Sequence, residues 1–439
     1  MRWRIIKNII IGIDGGCFES IILLLKNKKL PNFNRIIKNG FSAPLKVTVP
    51  HATIPSWPCL FSGLDVEGLG YYTFIHPLKG IFNSSVWRDK SIFSINEMKI
   101  FALNVPGTYP AWKINGEMIT GILSPSVSCY PKELEFLINK YWIIEGEDIP
   151  EIFKAFGIKK RMFLQKMKED FNLMVYVIRL PDAISHRVKG GKKKIIELMN
   201  LGYEKIDEFI GEVLAMKNFD NLIIFSDHGL KFYKKTFYIS RWLEKKRLLF
   251  LNAPMRKKFN NLLLKLFDII RPIVNIEFSK KAFKQFFKKR ERRLRPYKHA
   301  EFFDKENPRT FIQMLTSNMG AIFLFGKDKD NLEDVKSKMK NDKHFKKVYE
   351  FKAGGFPDLL VALKDEYIFD PEPSFFIKRK TESFNHSSHG FFIAFGKDIK
   401  NGQINIVDYR SISPTILKVC KVEIPDYMKG KPLDIFKNN

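Results

Sequence analysis

The stretch I-I-K-N-I-I-I-G-I-D-G-G, residues 5–16, is a β-branched run that stops at an Asp-Gly-Gly turn. A short, continuous apolar run closed by a turn reads as a strand buried on both faces, as in a parallel sheet covered by helices. Asp14 then stands at the carboxyl end of that strand. In open α/β sheets this is the edge where ligands bind.

Working outward, the same unit recurs. Phe18 to Asn39 reads as two helices, the second opened by Pro31. Strands are predicted at Ile100 to Val105, Leu173 to Leu180 and Asn221 to Phe225, with helices over Glu133 to Lys140, Ile149 to Phe171 and Lys193 to Met216. The pattern returns late in the chain with strands at Gly320 to Phe325, Leu359 to Leu363 and Phe391 to Phe395, and helices at Asn331 to Met339 and Ser411 to Val419. Alternating strands and helices with polar loops after the strands predict an α/β protein, a mostly parallel central sheet with helices on both faces.

Between residues 231 and 309 the character changes. Leu262, Leu263, Leu266 and Ile270 follow helical spacing, and Lys280 to Lys298 carries ten Lys/Arg against the single acid Glu291. Phe283, Phe286, Phe287 and Leu294 add an apolar stripe to that basic stretch. The expectation is therefore an α/β core of residues 1–230 and 310–439, interrupted by an inserted, helical, strongly basic cap subdomain over 231–309. A basic amphipathic helix can lie on an anionic membrane surface, grip nucleic acid, or simply form a solvated face.

Composition bounds the partners. The 439 residues include 75 Lys/Arg and 47 Asp/Glu, a formal charge of +28, so the surface field favours anionic partners or substrates. No stretch reaches the roughly 18 uncharged apolar residues of a membrane span. Four scattered cysteines without a C-x-x-C pair argue against a zinc knuckle and against a disulfide framework. The amino-terminal segment lacks a small-residue cleavage site and reads as the first core strand, which predicts a cytoplasmic protein.

Thr53 precedes Ile54-Pro55 and an amphipathic run, V-P-H-A-T-I-P-S-W-P from Val49 to Pro58. This places its hydroxyl at a helix start, where free N–H groups and the helix dipole face any anion. Four strand-end loops then hold Asp14, Asp182 with His186, Asp227 with His228, and His389. Carboxylates and imidazoles in such a set suit zinc, manganese or iron, and the Asp-x-x-x-His spacing lets two ligands reach one ion across a single helical turn.

The ordered set I-D-G-G, T-I-P-S-W-P-C-L-F-S-G, P-D-A-I-S-H, F-S-D-H-G and S-S-H-G-F-F-I-A-F-G resembles the alkaline phosphatase superfamily, in its type I phosphodiesterase/nucleotide pyrophosphatase branch. The resemblance spans nearly the whole chain and is similar to uncharacterised prokaryotic members. It implies an alkaline-phosphatase-like fold, Thr53 as nucleophile, and two divalent ions, zinc first and manganese or iron as alternatives. One ion would sit at Asp14, Asp227 and His228 with the Thr53 oxygen, the other at Asp182, His186 and His389. Where the family pattern has an asparagine three residues after the nucleophile, this chain has Ser56, which becomes the candidate substrate contact.

The implied reaction is cleavage of a phosphodiester or pyrophosphate bond in an anionic phosphate ester through a phosphothreonine, hydrolysed in a second step. Phosphomonoesterase or phosphotransferase chemistry uses the same groups and stays open. A sulfatase would need Cys or Ser in a C-x-P-x-R context, and a cofactor-independent phosphoglycerate mutase would use Ser. A non-catalytic anion-binding scaffold would have lost ligands, and here every position is filled.

Overall fold

The computed structural model describes residues 7–437 apart from 77–78, 140–147, 189–190, 247, 249–310, 325, 352–354 and 372–376. The basic stretch Lys280 to Lys298 and the apolar helical pattern before it lie outside the described residues. The chain divides into two compact units. The first comprises Met1–Phe74, Ile81–Tyr233 and Glu382–Asn439, the second Ile75–Gly80 and Lys234–Thr381.

The first unit is built on a ten-stranded sheet. Its strands include β1 (Asn8–Ile13), β2 (Phe41–Lys46), β3 (Ile100–Val105), β4 (Gly116–Thr120), β5 (Cys129–Tyr130), β6 (Leu173–Ile178), β7 (Asn221–Phe225), β8 (His389–Gly396) and β9 (Gly402–Gln403). They are ordered β9-β2-β8-β7-β1-β6-β3-β4-β5, with Val407–Asp408 pairing on β2. β1 lies between β6 and β7, parallel to both, with Gly12 opposite Val177 and Phe225. β8 runs antiparallel to β7 and β2, with Phe392 opposite Phe225 and Ala43. The amino-terminal end of an antiparallel strand meets the carboxyl ends of its parallel neighbours. The segment entering β8 therefore reaches the same edge as the loops leaving β1, β6 and β7.

Alternation along β1 sorts its side chains between two layers. Ile9, Ile11 and Ile13 pack in one buried cluster with Leu24 of α1 (Phe18–Lys26), Phe33 and Ile36 of α2 (Pro31–Lys38), Phe163 of α4 (Ile149–Lys166), and Tyr203 and Phe209 of α6 (Lys192–Met216). On the opposite face α3 (Thr53–Ser62) crosses the sheet, and Gly12 makes room for it: a Cβ there would stand 2.4 Å from the Trp57 ring. Trp57 also stacks on Phe61 and lies against Phe225, with centroids at 5.8 and 5.9 Å. The helix carrying the candidate nucleophile is thus seated directly over the central strands. The Asp182/His186 pair rides on α5 (Leu180–Arg187), entered straight from β6.

The second unit corrects the expected boundaries. The described residues of 311–381 fall in the second unit and in sheets other than the central one. Phe311–Thr316, Met319–Phe323, Leu359–Leu363 and Phe345–Glu350 form their own four-stranded antiparallel sheet in that order. Its core gathers Phe237, Trp242, Ile322, Met339, Phe345, Leu359, Val361 and Phe369. Met319–Phe323 and Leu359–Leu363 are buried along their whole length, like the strands of a parallel sheet. Sequence pattern reports that burial but not which sheet supplies it.

Candidate active site

Two clusters of three ligands occupy the carboxyl edge of the central sheet: Asp14, Asp227 and His228 in one, Asp182, His186 and His386 in the other, each with one ligand atom per residue within 4.8 Å of the rest. Asp14 follows β1, and Gly15 at φ +69° turns the chain so closely past α5 that a Cβ would stand 3.1 Å from Asp182. The Asp182 N–H donates to Asp14 O at 3.3 Å, which ties the two loops together. Gly15 N–H in turn donates to Asp227 Oδ1 at 3.2 Å, leaving Oδ2 for the interior.

In the first cluster all three side chains are fully buried. His228 Nδ1 lies 3.1 Å from Gly229 O. A carbonyl only accepts, so Nδ1 carries the proton and Nε2 presents its lone pair. Nε2 stands 3.4 Å from both Asp14 Oδ1 and Asp227 Oδ2. Burial holds His228 down at about 4, so it is neutral near pH 7. Burial, then the charges of Asp14 and Asp182, push Asp227 well above the usual carboxylate range. Three acceptor atoms converging in a buried space is a repulsive arrangement that a cation relieves, and the donor set fits a divalent ion.

The second cluster repeats this logic. Asp182 and His186 lie one helical turn apart on α5, with Oδ1 3.1 Å from His186 Nε2. His386 completes the set, its Nε2 3.3 Å from Asp182 Oδ1 and 3.0 Å from His186 Nε2. His386 Nδ1 faces His51 O at 3.3 Å, which again turns Nε2 inward as an acceptor. The ring stacks on His228 with centroids 3.8 Å apart, and Tyr233 donates to its backbone carbonyl at 2.6 Å. Burial, then His228, holds His386 at about 4. Burial opposes ionisation of Asp182, but the His186 and Arg179 charges outweigh it and keep the carboxyl well below its usual range. Burial likewise opposes the His186 charge, and Asp182 raises it above the ordinary histidine value.

The third ligand of this cluster differs from the expected one. His389 opens β8 opposite Lys46, is exposed, and its Nδ1 lies 3.2 Å from Ser388 Oγ. The segment N-H-S-S-H offers two histidines three residues apart, one closing the strand Lys378–Ser387 and one opening β8, and it is the His386 ring that stacks on His228. That doubled histidine was the signal available in the sequence.

Thr53 is half-buried and opens α3 immediately after the His51 carbonyl that meets His386. Ile54 departs from helical geometry (φ −109°, ψ 120°), Pro55 and Pro58 bring no N–H, and Ser56 N–H donates to Ala52 O at 3.0 Å. The helix start therefore offers fewer free donors than an ordinary first turn. Ser56, the expected substrate contact, is fully buried, its Oγ 2.5 Å from Thr48 Oγ1. Thr48 spends its own hydrogen on Pro50 O at 2.9 Å, so Ser56 is the donor and has none left. Its role is to hold the loop leading to Thr53.

The sheet, its helical layers and the clustered edge define an alkaline-phosphatase-like α/β fold. Murine ectonucleotide pyrophosphatase/phosphodiesterase 5 shares it, at TM-score 0.61 and 15% identity over 98% of this chain and 100% of that one. An inactive form of the murine protein in complex with AMP matches at TM-score 0.61 and 14% identity with the same coverage. The human counterpart matches at TM-score 0.58 and 14% identity, again over 98% and 100%. No curated protein matches in sequence. Residues 8–391 match the family described as type I phosphodiesterase / nucleotide pyrophosphatase, and the chain belongs to that family of hydrolases.

Proposed function

We propose that the protein is a two-metal phosphodiesterase or pyrophosphatase that works through a phosphothreonine at Thr53. The observation that carries this reading is the convergence of inward-facing acceptors in two adjoining clusters, one of them joined through His386 to the Thr53 loop. Asp14, Asp227 and His228 would hold one ion and Asp182, His186 and His386 the other; mixed carboxylate and imidazole donors suit zinc, manganese or iron. Such ions supply Lewis-acid charge that favours the threonine alkoxide and neutralises phosphoryl oxygens.

The chain's own groups do the rest. Thr53 Oγ1 gives its proton to solvent and attacks phosphorus as the bond to the leaving oxygen breaks, and the alcohol or phosphate departs with a proton from solvent. Water then attacks phosphorus, the Oγ1–P bond breaks, the phosphate product leaves, and a proton from water restores the Thr53 hydroxyl. Buried Asp227 and Asp182 fix the ligand geometry, while the Gly229 and His51 carbonyls hold both imidazoles in the tautomer that presents Nε2. No helix among the described residues is long and apolar enough to cross a membrane. Four free cysteines fit a reducing compartment, which supports proposing a cytoplasmic protein.

The test is turnover of a diester and a monoester of the same chromogenic phenol by zinc- or manganese-loaded protein, with Thr53→Ala as control. Preference for the diester supports the reading. Preference for the monoester moves the same site to phosphomonoesterase chemistry, and equal turnover by the alanine variant removes the covalent step.

A further inference from the structure

Arg179 sits between the end of β6 and the first residue of α5, and its Nε donates to Asp182 Oδ2 at 3.3 Å. The opposite oxygen, Oδ1, is the one that faces His186 and His386 at 3.1 and 3.3 Å. A carboxylate has two equivalent oxygens and a soft terminal torsion, so something must decide which oxygen enters the cluster. The arginine side chain is 18% exposed and the aspartate 4%, so solvent does little to loosen the pair.

The ground beneath Arg179 is also fixed. β3 and β6 pair regularly as far as Leu103 and Tyr176, and the pairing of β3 with β4 shifts register between Leu103 and Val105. Asn104 occupies that irregularity at φ +60° and donates from Nδ2 to Val177 O at 2.7 Å. Lys159 from α4, 4% exposed, donates to Asn104 Oδ1 at 3.1 Å. Lys159, Asn104, Tyr176, Arg179 and Leu180 line a cavity of about 10 Å³, room for roughly one water molecule. A buried lysine and amide thus anchor the last residues of β6, from which Arg179 reaches the ligand.

Resting on the two-metal reading above, we propose that Arg179 is a positioning residue that commits Asp182 Oδ2 to the guanidinium and Oδ1 to the ion held with His186 and His386. Groups that orient a metal ligand typically contribute about 10–100-fold to affinity or activity. Arg179→Met keeps an unbranched stem beside the cavity that Phe156 and Leu180 also line but lets the carboxylate turn. Arg179→Lys keeps the charge but lacks the planar Nε–H.

Zinc titration of the metal-free protein by calorimetry tests this, with His386→Ala marking which binding step belongs to the Asp182 cluster. Both arginine variants are expected to weaken that step at least about tenfold, leave the other step unchanged, and melt with the wild type when metal-free. Wild-type affinity at the marked step in both variants overturns the proposal. So does equal weakening of both steps together with a lowered melting temperature, which would make the arginine a general structural support. Wild-type protein that takes up no ion at all removes the functional reading, and the proposal with it.

Discussion

The Nε2 atoms of His186 and His386 stand 3.0 Å apart, one from a helix leaving the central sheet and the other 200 residues further along the chain. Both rings point at Asp182, and their meeting is what distinguishes His386 from His389. His386→Ala should remove one equivalent of bound zinc and cut phosphodiester turnover about a hundredfold or more, whereas His389→Ala should leave metal content unchanged. Elemental analysis of the two purified variants decides it, and the opposite ranking would restore His389 as the ligand.

Thr53→Ala should keep both metal equivalents, because the carboxylate and imidazole donors of both clusters are unchanged, and lose at least about a thousandfold in turnover. Thr53→Ser keeps a hydroxyl and should retain measurable activity. Rapid quench followed by intact-mass measurement should find a phosphorylated species in the wild type and none in the alanine variant.

Gly12→Ala places a methyl group 2.4 Å from the Trp57 ring, in a layer that also holds Phe61 and Phe225. Overpacking of this kind costs about 1–3 kcal/mol. Guanidinium unfolding should show the loss. Because Trp57 lies on the helix that Thr53 opens, turnover should fall in protein that remains folded.

Asp342 in the second unit accepts from the Trp242 indole N–H at 2.9 Å and from His344 N–H at 3.0 Å, with His344 Nδ1 at 2.6 Å. Burial raises this carboxyl, but those donors outweigh it and hold it below the ordinary carboxylate value. A carboxylate depressed in the folded state stabilises above its unfolded value, and that contribution disappears as pH falls through the folded value. Asp342→Asn should therefore flatten the acid limb of the stability curve, read as melting temperature against pH below about 4. An unchanged limb would show that the ionised form gives no net stabilisation.

All four thiols are pushed up by burial, Cys129 and Cys420 to about 12 and Cys59 well above its usual value, with Cys17 raised in the same direction. Since the thiolate is the reactive form, iodoacetamide at pH 8 should label native protein slowly and denatured protein fully. Mass spectrometry counts the adducts, and rapid native labelling at Cys59 would contradict the packing around α3.

The central strands were legible because β1, β6 and β7 are continuous apolar runs ending in Asp14, the Asp182 helix and Asp227. Burial on both faces writes itself into composition. The choice between His386 and His389 was not legible. It depends on the pairing of His389 with Lys46, a long-range register that a local pattern does not encode. The burial of Ser56 against Thr48 was not legible for a related reason: its partner lies eight residues away across a loop whose path no local pattern encodes. The second sheet escaped because Ala321 and Leu360 face each other across an antiparallel pair, while their sequences look like any buried strand.

Five of the six clustered ligands, Asp14, Asp182, His186, Asp227 and His228, precede the point where the chain leaves the first unit at Lys234, and His386 follows its return at Glu382. During synthesis from the amino terminus, the set around Asp14 is complete in the nascent chain while the set around Asp182 still lacks one donor.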